Sequence, residues 1–278
     1  MKYQIVRKLG SGGYGNVYEV QASDGNAYAM KLLKDLGTIN KQRFETEIKI
    51  LAQLNHPNIV KIIEWNLGGD PPDFSPWYTM EHLRGGSLMD HMNEKFKQAY
   101  VFQRNWSINT VILPACHALA QAHSAGIYHR DLKPDNIMYT SSNRAHMKIT
   151  DWGLGRDIGR RSIALTASVG QIGGTPGYCA LEQWFMFDTI DGRADIYSLG
   201  VIFYEMMTGR KPSMYDQRNR SLKRPKFVDL PSKYHPTITK ELDMCILKML
   251  ELEAQKRYQS IWQLISDIES LPDARYYY

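Results

Sequence analysis

GSGGYGNVYEV, from Gly10 to Val20, is the stretch on which the fold turns. Gly10, Gly12, Gly15 and Val17 fall in the pattern G-x-G-x-x-G-x-V. That spacing serves two architectures: a dinucleotide-binding turn that runs straight into a helix, and a hairpin whose bare backbone can approach phosphates. The residues that follow, NVYEV, alternate as a strand does and show no helical phase, so the glycines cap a β-hairpin. An ordinary glycine-rich hairpin reads the same way at this point.

Working outward, YQIVRKL before the glycines and AYAMKLL after them read as further strands, with a turn signal in SDGN. One helix interrupts them, from about Lys41 to Leu54, where Phe44, Ile48, Leu51 and Leu54 form a single stripe before NHPN breaks it. Lys31 lies on the third strand, where a lysine ordinarily faces solvent unless it has a partner. At about 100° per residue, Glu47 falls about 45° from the centre of the stripe and Glu45 about 115° away, so Glu47 is the inward carboxylate. A Lys31/Glu47 pair would hold an ammonium toward phosphates. After LGGDPPDFSP the chain turns helical, with candidates near Asn109–Ala125, Ala194–Thr208, Thr239–Leu250 and Ser260–Leu271. Pro114 stands either at the start of the first of these or inside it, where it would kink the helix. The expected fold is α+β and two-lobed: a small antiparallel β lobe with one helix over residues 1–82, and a larger helical lobe over 83–278.

The strongest signal is HRDLKPDN, His129 to Asn136, followed by Asp151 in DWG. Here the sequence resembles the eukaryotic-type (Hanks-type) protein kinases, in their serine/threonine branch and with bacterial-looking features. Matching motifs run in matching order from Gly10 to Arg257. The resemblance implies transfer of the γ-phosphate of ATP to protein Ser/Thr hydroxyls, with Mg2+ as cofactor. Asp131 would orient and deprotonate the acceptor hydroxyl. Asn136 and Asp151 would bind magnesium, and Lys31, paired with Glu47, would face the phosphates. Lys133 and Thr175 match residues typical of the Ser/Thr branch. The adenine pocket would comprise Val17, Ala29, Met80, Glu81, Leu83 and Met138 beneath Gly10, Gly12 and Gly15. Asp195 resembles the buried acid under the catalytic loop, and Glu182 with Arg257 the ion pair below the substrate-binding segment.

The chain departs from the family pattern at named places. Trp152 stands where DFG has Phe, and should resist an outward flip of that residue. Leu181 replaces the proline of APE, which should loosen the loop, and Gln183 follows as in the PEQ variant of bacterial members. Arg130 before the base implies activation by phosphorylation between Asp151 and Glu182. Ser162, Thr166 and Ser168 are the available hydroxyls, with Arg156, Arg160 and Arg161 nearby. Ser87 stands where relatives that favour arginine-flanked sites carry an acid, which disfavours that preference. Two other readings compete: a nucleotide-binding pseudokinase scaffold, against which the full set of Lys31, Glu47, Asp131, Asn136 and Asp151 argues, and a small-molecule kinase, which usually lacks Thr175 and this glycine hairpin.

Composition sets the outer bounds. The chain of 278 residues is 43% hydrophobic, enough to bury about 75% of its unfolded surface without staples. Its three cysteines, Cys116, Cys179 and Cys245, are far apart and fit no zinc or disulfide pattern, which points to a reducing compartment and the cytoplasm. The first ten residues lack the apolar core of a signal peptide, and the longest uncharged stretch, Asn105 to Tyr128, is too polar to span a membrane. The net charge is +5, and Arg210 to Lys226 alone holds seven basic residues against one acid. That segment is a solvated loop face or a docking patch for an acidic partner. No nucleic-acid or membrane partner is expected.

Overall fold

The computed structural model describes residues 2–11, 15–68, 75–152, 174–185, 190–212, 214–216, 221–223 and 228–272. The three strands named from the sequence are joined by two more in a five-stranded antiparallel sheet. The five are β1 (Tyr3–Ser11), β2 (Gly15–Ala22), β3 (Ala27–Leu33), β4 (Ile62–Asn66) and β5 (Trp77–Glu81), in the order β1-β2-β3-β5-β4. The β2–β3 turn closes through Asp24, which accepts from the Asn26 N–H at 2.9 Å, and Gly25 at φ 83° supplies the left-handed residue that the turn requires. Helix α1 (Thr38–Gln53) packs on the sheet through Phe44, Ile48 and Leu51, each 2% exposed. It begins a turn earlier than its apolar stripe, because TINK extends the helix without adding to the buried face.

The larger lobe contains α2 (Leu88–Lys97), α3 (Arg104–Trp106), a π-helical stretch (Ser107–Ile112), α4 (Leu113–Ser124), β6 (Ile137–Tyr139), β7 (Met147–Ile149), α5 (Glu182–Phe185), α6 (Gly192–Thr208), the hairpin strands β8 (Met214–Asp216) and β9 (Ser221–Lys223), α7 (Lys240–Met249) and α8 (Ile261–Glu269). Helix α2 escaped the periodicity reading, although its start is written in the sequence. Ser87 accepts from the Asp90 N–H at 3.1 Å while Asp90 accepts from the Ser87 N–H at 2.8 Å, a complete capping box. Pro114 proves to lie inside a continuous helical run. The preceding turns are π-helical, with the Leu113 N–H bonded to the Ile108 carbonyl, and this wider winding accommodates a residue that lacks an N–H and crowds the previous turn. Asp191, Thr239 and Ser260 cap α6, α7 and α8 with side-chain acceptors.

Two sets of backbone bonds tie the region between the lobes. Just past the boundary, within the larger lobe, the Gly85 N–H donates to the Tyr139 carbonyl and the Tyr139 N–H to the Gly86 carbonyl, both at 2.9 Å. A Cβ on Gly85 would collide with Ser141 and Tyr139, so only glycine permits this approach. Behind it, the Val60 N–H donates to the Ile149 carbonyl at 3.0 Å and the Ile149 N–H to the Asn58 carbonyl at 2.8 Å. Among the described residues no helix is long and apolar enough to cross a membrane, and the three cysteines are buried outside any disulfide.

Candidate active site

Strand register builds the upper half of the site. Val17 stands opposite Lys31, Lys31 opposite Tyr78, and Ala29 opposite Met80, so alternation puts all five side chains on one face of the sheet. That face roofs a cavity of about 260 Å3, whose lining includes Gly10, Gly15, Glu81, Leu83, Met138 and Asp151. Lys31 Nζ lies 2.7 and 2.9 Å from the two Glu47 oxygens and 3.1 Å from Asp151 Oδ1. Glu47 is 4% exposed, as its phase on α1 requires. The Tyr78 hydroxyl donates to Glu47 Oε1 at 2.8 Å. Burial alone would depress the Lys31 ammonium, but the carboxylates of Glu47 and Asp151 beside it hold its pKa well above the ordinary lysine value. Lys31 in turn holds the Asp151 carboxyl below its usual range.

The lower half is a loop. Thr175 donates to Asp131 Oδ1 at 2.7 Å, Lys133 donates to the Thr175 hydroxyl at 2.9 Å, and Lys133 Nζ lies 3.2 Å from Asp131 Oδ2. The Asn136 amide nitrogen donates to the Asp131 carbonyl at 2.9 Å. This fixes the orientation of the amide, so its oxygen points away from that contact. Asn136 and Asp151 are coupled through Thr150, whose N–H donates to the Asn136 carbonyl at 2.8 Å. The Asp151 side chain is half exposed. Its backbone, at φ 60°, occupies the left-handed region that is uncommon outside glycine. Two neutral-to-anionic oxygen donors of this kind suit a hard cation such as magnesium.

Buried groups hold the loop in place. Asp195 accepts from the His129 N–H at 2.9 Å and the Arg130 N–H at 2.8 Å, and lies 2.8 Å from His123 Nε2. Burial pushes the Asp195 carboxyl up, but these bonds outweigh it and hold the group below the usual carboxylate range. Trp152 is fully buried, its indole N–H donating to the Ile149 carbonyl at 3.3 Å and its ring 4.8 Å from that of His129. The Arg257 guanidinium makes a fork to Glu182 at 2.6 and 2.9 Å and also donates to the Glu251, Arg193 and Leu252 carbonyls.

The structure thus brings Lys31, Glu47 and Asp151 together, and Asp131, Lys133, Thr175 and Asn136 together. Val17, Ala29, Met80, Glu81, Leu83, Met138, Gly10 and Gly15 line or adjoin the same cavity. The Glu81 N–H is taken by the Lys61 carbonyl at 3.1 Å, so any backbone contact of Glu81 with a bound base is through its carbonyl. Gly12, Ser162, Thr166, Ser168, Arg156, Arg160 and Arg161 lie outside the described residues. Sequence reasoning missed Tyr78 and His123. Tyr78 was within reach, two residues before Met80 and therefore on the same strand face. His123 carries no local signal, since its partner is 72 positions away.

A β lobe and a helical lobe enclosing a cleft with a buried Lys–Glu pair above and an Asp–Lys–Thr chain below define a class of phosphate-handling enzymes. Comparison with known families agrees: residues 3–267 match the Protein kinase domain family, and the chain belongs to it. It is similar to the serine/threonine-protein kinase Pkn1 of Myxococcus xanthus, 34% identical over 269 residues, covering 93% of this chain and 36% of the relative. It is also similar to the serine/threonine-protein kinase PknB of Mycolicibacterium smegmatis, 32% identical over 282 residues, 96% of this chain and 42% of the relative. The chain therefore spans well under half the length of these curated relatives.

Proposed function

We propose that this chain is an ATP-dependent serine/threonine protein kinase domain, with its lobes divided near residue 82. It transfers the γ-phosphate of ATP to protein Ser/Thr hydroxyls, including those of its own segment between Asp151 and Glu182. The observation that carries the reading is the chain of bonds Lys133 to Thr175 to Asp131. It leaves one carboxylate poised beside one ammonium, the pair needed to orient an acceptor hydroxyl and to neutralise the group it attacks.

In this reading Asp131 accepts the proton of the acceptor hydroxyl and aligns it for in-line attack. Lys133 neutralises charge on the transferred group, and Thr175 fixes the distance between the two. Lys31, held by Glu47, directs its ammonium at the nucleotide phosphates. Asn136 and Asp151 are the residues that would hold Mg2+, which when bound neutralises phosphate charge. Val17, Ala29 and Met138 would sandwich the adenine, with Met80 behind it. The soluble, cytoplasmic setting belongs to the same proposal, as does an acidic partner for Arg210 to Lys226, in which Arg218, Arg220, Arg224 and Lys226 lie outside the described residues.

Incubation of the protein with ATP, Mg2+ and myelin basic protein, followed by mass-spectrometric mapping of phosphosites, tests the function. Phosphate on Ser or Thr that vanishes with Asp131→Asn is expected. Nucleotide binding with no transfer under any condition would favour the pseudokinase scaffold instead.

A further inference from the structure

Arg130 stands immediately before Asp131 and has φ 63°, a left-handed backbone that costs free energy in any residue with a Cβ. Such a conformation persists only where its surroundings impose it. Both of its polar backbone groups are gripped by buried side chains. Its N–H donates to Asp195 Oδ1 at 2.8 Å, and its carbonyl accepts from Gln183 Nε2 at 2.6 Å. The other end of the Gln183 amide, Oε1, accepts from the Ala180 N–H at 2.9 Å, and the residue is only 1% exposed.

Gly174 completes the arrangement. At φ 113°, a Cβ built on it would lie 2.8 Å from Cys179 Cβ, 3.1 Å from Gln183 Nε2 and 3.2 Å from the Arg130 carbonyl, so the glycine leaves the Gln183 amide room to reach the loop. The next residue, Thr175, donates to the Asp131 carboxylate. One segment, 174–183, therefore holds Asp131 at two points: the carboxylate through Thr175, and the peptide entering the residue through Gln183.

We propose that Gln183 is a positioning residue for Asp131. Its amide fixes the peptide between Arg130 and Asp131, so that the order of the 174–183 segment is transmitted to the base by a neutral hydrogen bond. The inference rests on the kinase reading and deepens it. The bond from Gln183 to Arg130 sets how the base sits, and the bond to Ala180 ties that setting to the segment on which the acceptor protein would dock.

Steady-state transfer to myelin basic protein tests the proposal with Gln183→Met, which removes both bonds at similar volume, and Gln183→Glu, which keeps the acceptor for Ala180 and loses the donor to Arg130. Both variants are expected to lower kcat by about 10- to 100-fold, the scale of a small misplacement of a reacting group. The KM for the acceptor and the Kd for ATP with Mg2+ should stay within about twofold, because Lys31, Glu47 and Asp151 are untouched. A purely structural role would raise the acceptor KM and lower nucleotide affinity as the segment loosens. Should Gln183→Met not fold, Gln183→Glu, which remains polar at the site, decides alone. A kcat within twofold of wild type in a folded variant, or a loss carried by the acceptor KM, overturns the proposal while the kinase reading stands. A wild type that transfers no phosphate overturns the kinase reading, and this one with it.

Discussion

The two halves of the site are held by different physics. Above the cleft, Lys31, Glu47 and Tyr78 sit on regular elements, and each side chain is aimed by strand alternation or helical phase. Below it, Asp131 and Asn136 sit in a loop whose path no periodicity dictates, and two non-glycine residues, Arg130 and Asp151, adopt left-handed backbones. The upper half needs only that its charges pair. The lower half needs its backbone clamped, and Asp195, His129 and Gln183 supply the clamps. Substitutions above the cleft should therefore act through electrostatics and respond to pH. Those below should act through geometry.

The largest effect is expected where the halves meet. Asp151 is half exposed, and the pair it would leave behind, Lys31 with Glu47, satisfies itself. Asp151→Asn should lower phosphoryl transfer by about a thousandfold, roughly 4 kcal/mol in barrier, while leaving Tm of the ligand-free protein within a few degrees. In the wild type, ATP with Mg2+ at a hundredfold excess over Kd should stabilise the fold by about 2.7 kcal/mol, and EDTA should remove most of this. A large drop in Tm for Asp151→Asn would show that the residue belongs to the scaffold.

Next in size is the ion pair beneath the lower half. The Arg257 side chain is fully buried and its Glu182 partner nearly so. Arg257→Met leaves the Glu182 carboxylate in a dry site, a loss of about 3 to 5 kcal/mol, or roughly 10 °C in Tm. Differential scanning fluorimetry reads it directly. An unchanged Tm would mean that the guanidinium's three carbonyl contacts, and the scaffold below the loop, are dispensable.

Lys31→Met sharpens the contrast because its stability cost should depend on pH. Burial pushes the Glu47 carboxyl up, and Lys31 is the charge that opposes this. Glu47 already stands above the ordinary carboxylate range, and without the ammonium its folded-state pKa rises further. The variant then binds more protons folded than unfolded, so it loses stability as pH rises and regains it as pH falls. The Tm gap to wild type should be several degrees at pH 7.5, about 2 kcal/mol, and clearly smaller at pH 5. A gap that is flat or widens on acidification would mean that Glu47 is not the group left exposed to the change. Transfer should fall at least about a hundredfold at every pH.

How far the sequence could reveal this arrangement follows from the same contrast. The inward phase of Glu47 and the strand bearing Lys31 are readable from local spacing, and Phe44, Ile48, Leu51 and Leu54 of the stripe are all buried, Leu54 just past the end of α1. Tyr78 was readable in principle, from strand alternation with Met80. The clamps were not. Gln183 reaches Arg130 across 53 positions and Asp195 reaches His129 across 66, contacts that no local pattern encodes. Only the family resemblance singles out Asp195, and Gln183 stands out in the sequence only as a motif variant. Pro114 was undecidable because proline suits both a first turn and a π-widened interior, and only the packed helix selects between them.

The smallest expected effect tests whether the halves are independent. Tyr78→Phe removes only the hydroxyl that donates to Glu47 Oε1, and leaves both Lys31 contacts and the ring in place. A bond to a charged group is worth about 1.5 kcal/mol, so Tm should fall by a few degrees and kcat by no more than several-fold. Tyr78→Phe and Lys31→Met act on one carboxylate, so the double variant should depart from additivity by more than about 0.5 kcal/mol. Tyr78→Phe combined with Arg257→Met should add within about that margin, because no shared partner links them. Additivity in the first pair would mean that Glu47 is not the hub of the upper half. Coupling in the second would mean that the lobes answer to each other through the sheet, and that the division between a charge-aimed half and a backbone-clamped half does not hold.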